Sequence, residues 1–480
     1  TEAKKTSHRD FYNVRKVDTH IHHSACMHPK QLLMFVREKV YEKNLQHHEL
    51  TSSPFQNEPD TPVIKEKDGK ILTLKEMFDN LGVNPNSMNV DMLDVQVTND
   101  IMKDLYYFLE IGTNTFQRFD RFNQKYSPLG KETLRSVFLK YDNMINGRFL
   151  AEITRDVINR LEANKYEFVE WRVSIYGNLT IFPFVLFAFN EKVKTKLNGK
   201  SSQNGSTSTI WSHKRSLDDP GSSNLFSTSF RFQFPIKSLD FEGQGVINSF
   251  QDILTNFFEP LFEVTMDPSK DPELYNFLLG VTFFHLLETN PPLFQMVGFD
   301  SVDDESAFED ALDFETKPDE WTGPSDPPYY YWLYYFYANI YQLNALRKKQ
   351  GLNTFQFRPH CGEAGDPNHL AAAFLVADSI NHGIMLMKTT VLQYLYYLKQ
   401  IGLAVSPVSN NRSYLLINKL LLTNLFALRL FLEYHKQPFK KFFDRGLNVS
   451  LSTDDPLLFH NTKEPLLEEY SIASQVVIQQ

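Results

Sequence analysis

The sequence predicts an α/β fold, a (β/α)8 TIM barrel with insertions, and three observations carry that expectation. Strand-like runs occur eight times along the chain. Helix-like stretches separate many of them, the pattern of parallel βαβ units. The 480 residues, 42% of them apolar, suffice for one barrel-sized domain lengthened by insertions, although the same length also fits two or three ordinary domains.

In order, the strand-like runs are Val17–His22, Glu170–Tyr176, Ser229–Pro235, Met296–Ser301, Thr354–His360, Gly383–Met387, Leu403–Ser406 and Leu447–Thr453. The alternation is clearest from Thr354 onward. A strand ending at His360 leads to a helical pattern from Asn368 to Asn381. A strand from Gly383 precedes helical Thr389–Gln400, and Leu403–Ser406 stops at Pro407, which cannot donate to a ladder. Glu49–Asp68 is polar and reads as a loop. Residues 192–226 are rich in Ser, Gly and Asn, and are expected to form a disordered surface insertion in a single catalytic domain covering 1–480.

Composition excludes several functions. Two cysteines, Cys26 and Cys361, rule out a disulfide framework and a multi-cysteine zinc domain. A net charge of −9 argues against nucleic-acid binding by phosphate neutralisation; a phosphate ligand would need a local cationic cluster. The longest apolar stretches, Ile181–Phe189 and the interrupted Leu415–Leu432, fall short of the ~20 uninterrupted residues of a membrane span. The start, Thr1-Glu2-Ala3-Lys4-Lys5, enters no apolar signal region, so a reduced protein of the cytosol is expected.

Chemistry concentrates at strand ends. Asp18-Thr19-His20-Ile21-His22 places two imidazoles on one strand face, a spacing that suits two ligands of one metal, although a bare His-x-His also occurs in packed cores. His23 faces the other way and reads as a packing residue. His360-Cys361-Gly362-Glu363 offers a histidine and, past a glycine turn, a carboxylate placed for acid–base work. His382 stands just before the expected strand at Gly383. Asp454-Asp455 closes an apolar run, where a carboxylate pair can equally cap a helix. Taken together, the four ends amount to a mononuclear metal site with its acid and base.

These segments resemble the adenosine/AMP deaminase branch of the metal-dependent amidohydrolases. The flanking text is similar to the AMP deaminases within it: Lys16 through Met27, Gly298 through Ser306, Arg358 through Pro367, Ser406 through Asn411 and Gly446 through Pro456. The resemblance implies one zinc ion per subunit bound by His20, His22, His360 and Asp454. It implies that His382 takes the proton of the attacking water, that Glu363 protonates purine N1, and that Asp455 orients water and purine. AMP would become IMP and ammonia. Arg121-Phe122-Asn123-Gln124-Lys125-Tyr126 resembles the family's substrate loop, with Lys125 first in line for the 5′-phosphate. His22, Glu363, Asp455, Pro456, Leu457 and Leu458 complete the expected substrate contacts, and the resemblance suggests a homotetramer.

The chain departs from the family pattern by extra residues near 101–114, 178–212, 282–290 and 412–427, some of which read as translated introns. The family pattern also continues past Ala473, so a catalytic-region fragment is expected. Two other readings stay open: a deaminase acting on the nucleoside, and a catalytically impaired nucleotide-binding paralogue.

Overall fold

The computed structural model describes residues 11–40, 57–66, 69–93, 132–140, 143–164, 166–173, 225–231, 249–279, 295–302, 305, 316–322, 327–363, 365–410, 434 and 437–478. Eight strand positions form one ring: β1 Lys16–His22, β2 Glu167–Arg172, β3 Leu225–Arg231, β4 Gln295–Val302, β5 in two pieces (Gln356–Phe357 and His360–Cys361), β6 Ser379–His382, β7 Gly402–Val405 and β8 Val449–Leu451. Each pairs in parallel with the next in chain order. The ring closes where Asp454 N–H donates to the His20 carbonyl at 2.9 Å and His22 N–H donates to the Asp454 carbonyl at 2.8 Å. A closed ring of eight parallel strands is the (β/α)8 barrel. β5 is interrupted at Arg358-Pro359 because proline has no N–H for the ladder. The Pro359 carbonyl still accepts from Asn381 N–H at 2.9 Å, which keeps the register.

The helices around the ring are α1 Pro29–Val40, α2 Arg148–Asn164, α3 Phe250–Met266, α4 Tyr329–Lys349, α5 Asn368–Val376, α6 Thr390–Lys399, α7 Pro438–Asp444 and α8 Pro465–Ile478, with shorter helices between. α3 opens on a capping box, in which Ser249 and Asp252 satisfy each other's backbone N–H. Two apolar clusters fill the space between helices and strands. One joins Leu32, Phe35 and Val36 of α1 to Phe149 and Ile153 of α2 and to Trp171 of β2. The other joins Phe257 of α3 and Phe336 of α4 to Phe299 of β4 and Phe357 of β5. Fourteen of the 41 phenylalanines are buried there, several in tilted and edge-on ring contacts such as Phe257–Phe299 at 5.8 Å. Among the described residues no helix is long and apolar enough to cross a membrane.

The strand expected at Gly383–Met387 is a correction. The chain is extended over Ser379–His382 instead, and Ile384–Lys388 forms a 3-10 helix. His382 and Gly383 take φ of 72° and 65°, a left-handed pair that ends an extended segment. The short apolar run after them buries Met385 and Leu386 in the core, and a run of that length does not reveal its period. Accordingly α5 ends at Val376, short of the expected Asn381. β2 and β3 begin a few residues ahead of their expected starts, so β3 takes in Leu225 and Phe226 from the end of the stretch 192–226. The remainder of that stretch lies outside the described residues, as do 101–114, 178–212, 282–290 and 412–427. The polar stretch Glu49–Asp68, expected as a loop, supplies Pro62–Lys65 to an antiparallel pair with Ile71–Thr73.

Candidate active site

The C-terminal ends of β1, β5, β6 and β8 converge on one cluster. From β1 come His20 and His22, whose ring centres lie 4.9 Å apart. The ring of His360, on β5, lies 4.5 Å from His20 and 5.3 Å from His22. His382 ends β6, with its ring 5.2 Å from His20 and 5.3 Å from His360. Asp454 follows β8 in a left-handed conformation (φ 62°), unusual for a residue with a side chain and a mark of local constraint. Its Oδ1 lies 3.2 Å from His20 Nε2 and 3.3 Å from His22 Nε2, while its Oδ2 accepts from Ser409 Oγ at 2.8 Å.

Three overlapping sets of donor atoms each lie within 4.8 Å: His20, His22 and His360; His20, His382 and Asp454; and His22, Asp454 and Asp455. Their protonation suits a cation. Burial, followed by the neighbouring His360, pushes His20 well below the usual imidazole range. Burial also lowers His360, against the opposing pull of Asp300. Both shifts favour the neutral ring, the form in which an imidazole can ligate a metal. Burial alone would raise Asp454, but the hydrogen bonds from His20 and His22 and the nearby His382 hold it well below the usual carboxylate range. Imidazoles packed around one carboxylate, with His20 Nδ1 buried and without a hydrogen-bond partner among the described residues, form a nitrogen and oxygen donor set with metal-binding capacity.

Asp300, near the end of β4, holds His360 of this set. Its Oδ1 lies 2.9 Å from His360 Nδ1 and accepts the His360 N–H at 3.0 Å. Its Oδ2 accepts from Asn381 Nδ2 at 3.0 Å, with Arg172 Nε at 3.6 Å. Burial would raise this carboxyl, yet His360 and the Arg172 guanidinium hold it far down. A carboxylate on one ring nitrogen fixes the tautomer and leaves the other nitrogen for a metal. Asp300 lies in the stretch Gly298 through Ser306 that resembles the family, and its signal in the sequence is an acid near a strand end.

Glu363 lies past the Gly362 turn, its side chain 25% exposed and its Oε2 3.7 Å from His382 Nε2. Burial pushes its carboxyl up to about 7; His382 opposes the rise, and Asp454 and Glu305 add to it. Gly362 has φ 73°, and a Cβ there would sit 2.6 Å from Leu370 Cδ2, so the turn needs glycine. Asp455 is half-buried beside Asp454. Pro456, Leu457 and Leu458 begin a short helix and are buried, the two leucines within the apolar cluster around α1 and α2. Arg121, Phe122, Asn123, Gln124, Lys125 and Tyr126 lie outside the described residues. His23 packs as expected, stacked 5.3 Å from Trp171 with Nε2 2.9 Å from Thr154 Oγ1. Both cysteines are buried thiols, and neither belongs to the donor sets found among the described residues.

A family model described as AMP deaminase matches residues 1–180 and 223–478. A probable AMP deaminase of Oryza sativa subsp. japonica is 44% identical over 476 residues, 98% of this chain and 47% of that protein. An AMP deaminase of Dictyostelium discoideum is 44% identical over 477 residues, 99% of this chain and 49% of that protein. The chain thus spans about half the length of the curated relatives it matches. Among solved structures, an Arabidopsis ADAL complexed with IMP aligns at 9% identity and TM-score 0.45, covering 97% of this chain and 87% of that one.

Proposed function

The chain belongs to the AMP deaminase family, and from that premise we propose that it hydrolyses AMP to IMP and ammonia with one zinc ion per subunit. The observation that carries the reading is the meeting of two opposite carboxyls on one ring of imidazoles. Asp454 is held ionised among His20 and His22, and Glu363 is raised to about 7 beside His382. His20, His22, His360 and Asp454 would hold the zinc, which when bound supplies a Lewis acid that brings the pKa of water toward neutrality.

The chain's own groups account for the remaining steps. His382 takes the proton of the attacking water. Glu363, still protonated near neutral pH, gives its proton to purine N1, which makes C6 electrophilic. Asp455 orients the water and contacts the purine until the water oxygen has bonded to C6 and the C6–N bond breaks, when the proton held by His382 leaves with the amino group as ammonia and the C6 hydroxyl proton restores Glu363. On the substrate side, Arg121, Phe122, Asn123, Gln124, Lys125 and Tyr126 receive the nucleotide, with Lys125 on the 5′-phosphate. Pro456, Leu457 and Leu458 back the purine beside Asp455. A homotetramer as assembly follows the family resemblance, and the cytosol is the location proposed with it.

The test is ammonia release from AMP by the full chain, before and after zinc chelation. We expect activity that chelation abolishes and zinc restores. Equal turnover of adenosine would remove the phosphate assignment, and unchanged activity after complete metal removal would overturn the reading.

A further inference from the structure

Beyond β4 a second carboxylate, Glu305, reaches the Glu363 turn from outside the donor cluster. It is 5% exposed. Its Oε2 accepts the N–H of Gly362 at 2.6 Å, and its Oε1 accepts the N–H of Glu363 at 3.0 Å. One carboxylate therefore takes two consecutive amides, one per oxygen, across the turn that carries the proton donor. His369 Nδ1, from α5, lies 3.4 Å from Oε2 and gives the carboxylate a third neighbour. A buried carboxylate is expensive unless donors converge on it. Two of these donors are the backbone of the turn itself, so the arrangement stands only while the turn keeps its shape.

We propose that Glu305 is a positioning residue for the reaction, clamping the Gly362–Glu363 backbone so that the Glu363 carboxyl is presented to the purine. This rests on the reading of Glu363 as the proton donor. The clamp acts on the turn's weakest point. Gly362 sits at φ 73°, a region glycine enters freely and leaves as freely. Without two anchored amides the turn has other conformations within reach, and Glu363 would spend time off its productive geometry. Misplacement of a reacting group by about 1 Å can lower rate roughly 100-fold. Glu305 would touch neither substrate nor metal, so its removal should leave both binding events intact.

The experiment is a double-mutant cycle on the full chain, pairing Glu305→Gln with Glu363→Gln. Glutamine keeps one carbonyl acceptor but turns an N–H donor toward the other amide. Glu305→Gln should lower kcat roughly 10- to 100-fold, with KM for AMP and zinc content unchanged. In the Glu363→Gln background the same change should alter the residual rate by less than about twofold, since both act through one group. Hydrogen exchange of the zinc-loaded protein gives a readout independent of turnover. Protection around Gly362–Glu363 should fall in Glu305→Gln while that around Asp454 holds. Should Glu305→Gln fail to fold, Glu305→Asp, which keeps the charge but reaches one amide, is expected to show the same coupled loss at smaller size.

Equal fold-losses in both backgrounds, or unchanged exchange at the turn, would overturn the clamp while leaving the deaminase reading in place. A parent chain that releases no ammonia from AMP would overturn that reading, and the catalytic role of the clamp with it.

Discussion

Two sides of the barrel mouth each bring a carboxyl to one cluster of imidazoles, and the two carboxyls behave oppositely. On the β8 side, Asp454 is met by His20 and His22 at 3.2 and 3.3 Å and by the Ser409 hydroxyl at 2.8 Å. On the β5 side, Glu363 has one imidazole, His382, at 3.7 Å, and feels the like charges of Asp454 and Glu305. Burial pushes both up, but only Asp454 has the donors to reverse it. Depth does not separate the two carboxyls here; the number and distance of donors does.

The most severe way to break this contrast is to remove the anion from the β8 side. Asp454→Asn keeps the shape and loses the charge that His20 and His22 share. Losing an outer-shell partner costs about 10- to 100-fold in metal affinity, and an inner ligand should cost more. We expect metal to be lost on dialysis and ammonia release from AMP to fall below detection. Metal content of the dialysed protein checks the first, and retained stoichiometric metal would remove Asp454 from the ligand set.

Breaking the β5 side should leave the metal and take the proton. Glu363→Gln is expected to lower kcat by about 10²- to 10⁴-fold, the range for a lost general acid, with metal content unchanged. The parent's pH profile carries the same information. Glu363 works protonated and its carboxyl is raised to about 7, so it is competent below that pH and loses its proton as pH rises through it. Activity should therefore fall with one proton's slope above about pH 7, and the residual rate of Glu363→Gln should lack that limb. A limb that survives in the variant would belong to another group.

What could be read from the sequence follows the same division. That His20, His22, His360 and Asp454 come together is legible in the sequence, because strand ends and period-two spacing are local properties. So is the barrel, since eight alternating runs leave few other topologies. The contacts of Asp300 and Glu305 are not, because each meets a partner distant in sequence: His360 for one, the Gly362–Glu363 amides for the other. The expectation of a strand from Gly383 misses Ser379–His382 because two left-handed residues, His382 and Gly383, end it, and a histidine at positive φ is too uncommon to expect from sequence.

The mildest change sharpens the contrast most finely. Ser409 sits just beyond β7 and is 3% exposed, and its hydroxyl donates to the Asp454 oxygen that faces away from the histidines. Ser409→Ala removes that donor and leaves both histidines in place, so the β8 side moves one step toward the condition of the β5 side. A hydrogen bond to a charged group contributes about 1.5–3 kcal/mol, and part of that loss can be recovered by water. We expect metal affinity to weaken roughly 10-fold, at the low end for a lost outer-shell partner, with kcat at saturating zinc within about twofold of the parent. A titration of the metal-free protein with zinc, followed by ammonia release at each point, separates the two quantities. If affinity holds and kcat falls, Ser409 serves the reaction and not the ligand, and the donor count that distinguishes Asp454 from Glu363 rests on His20 and His22 alone.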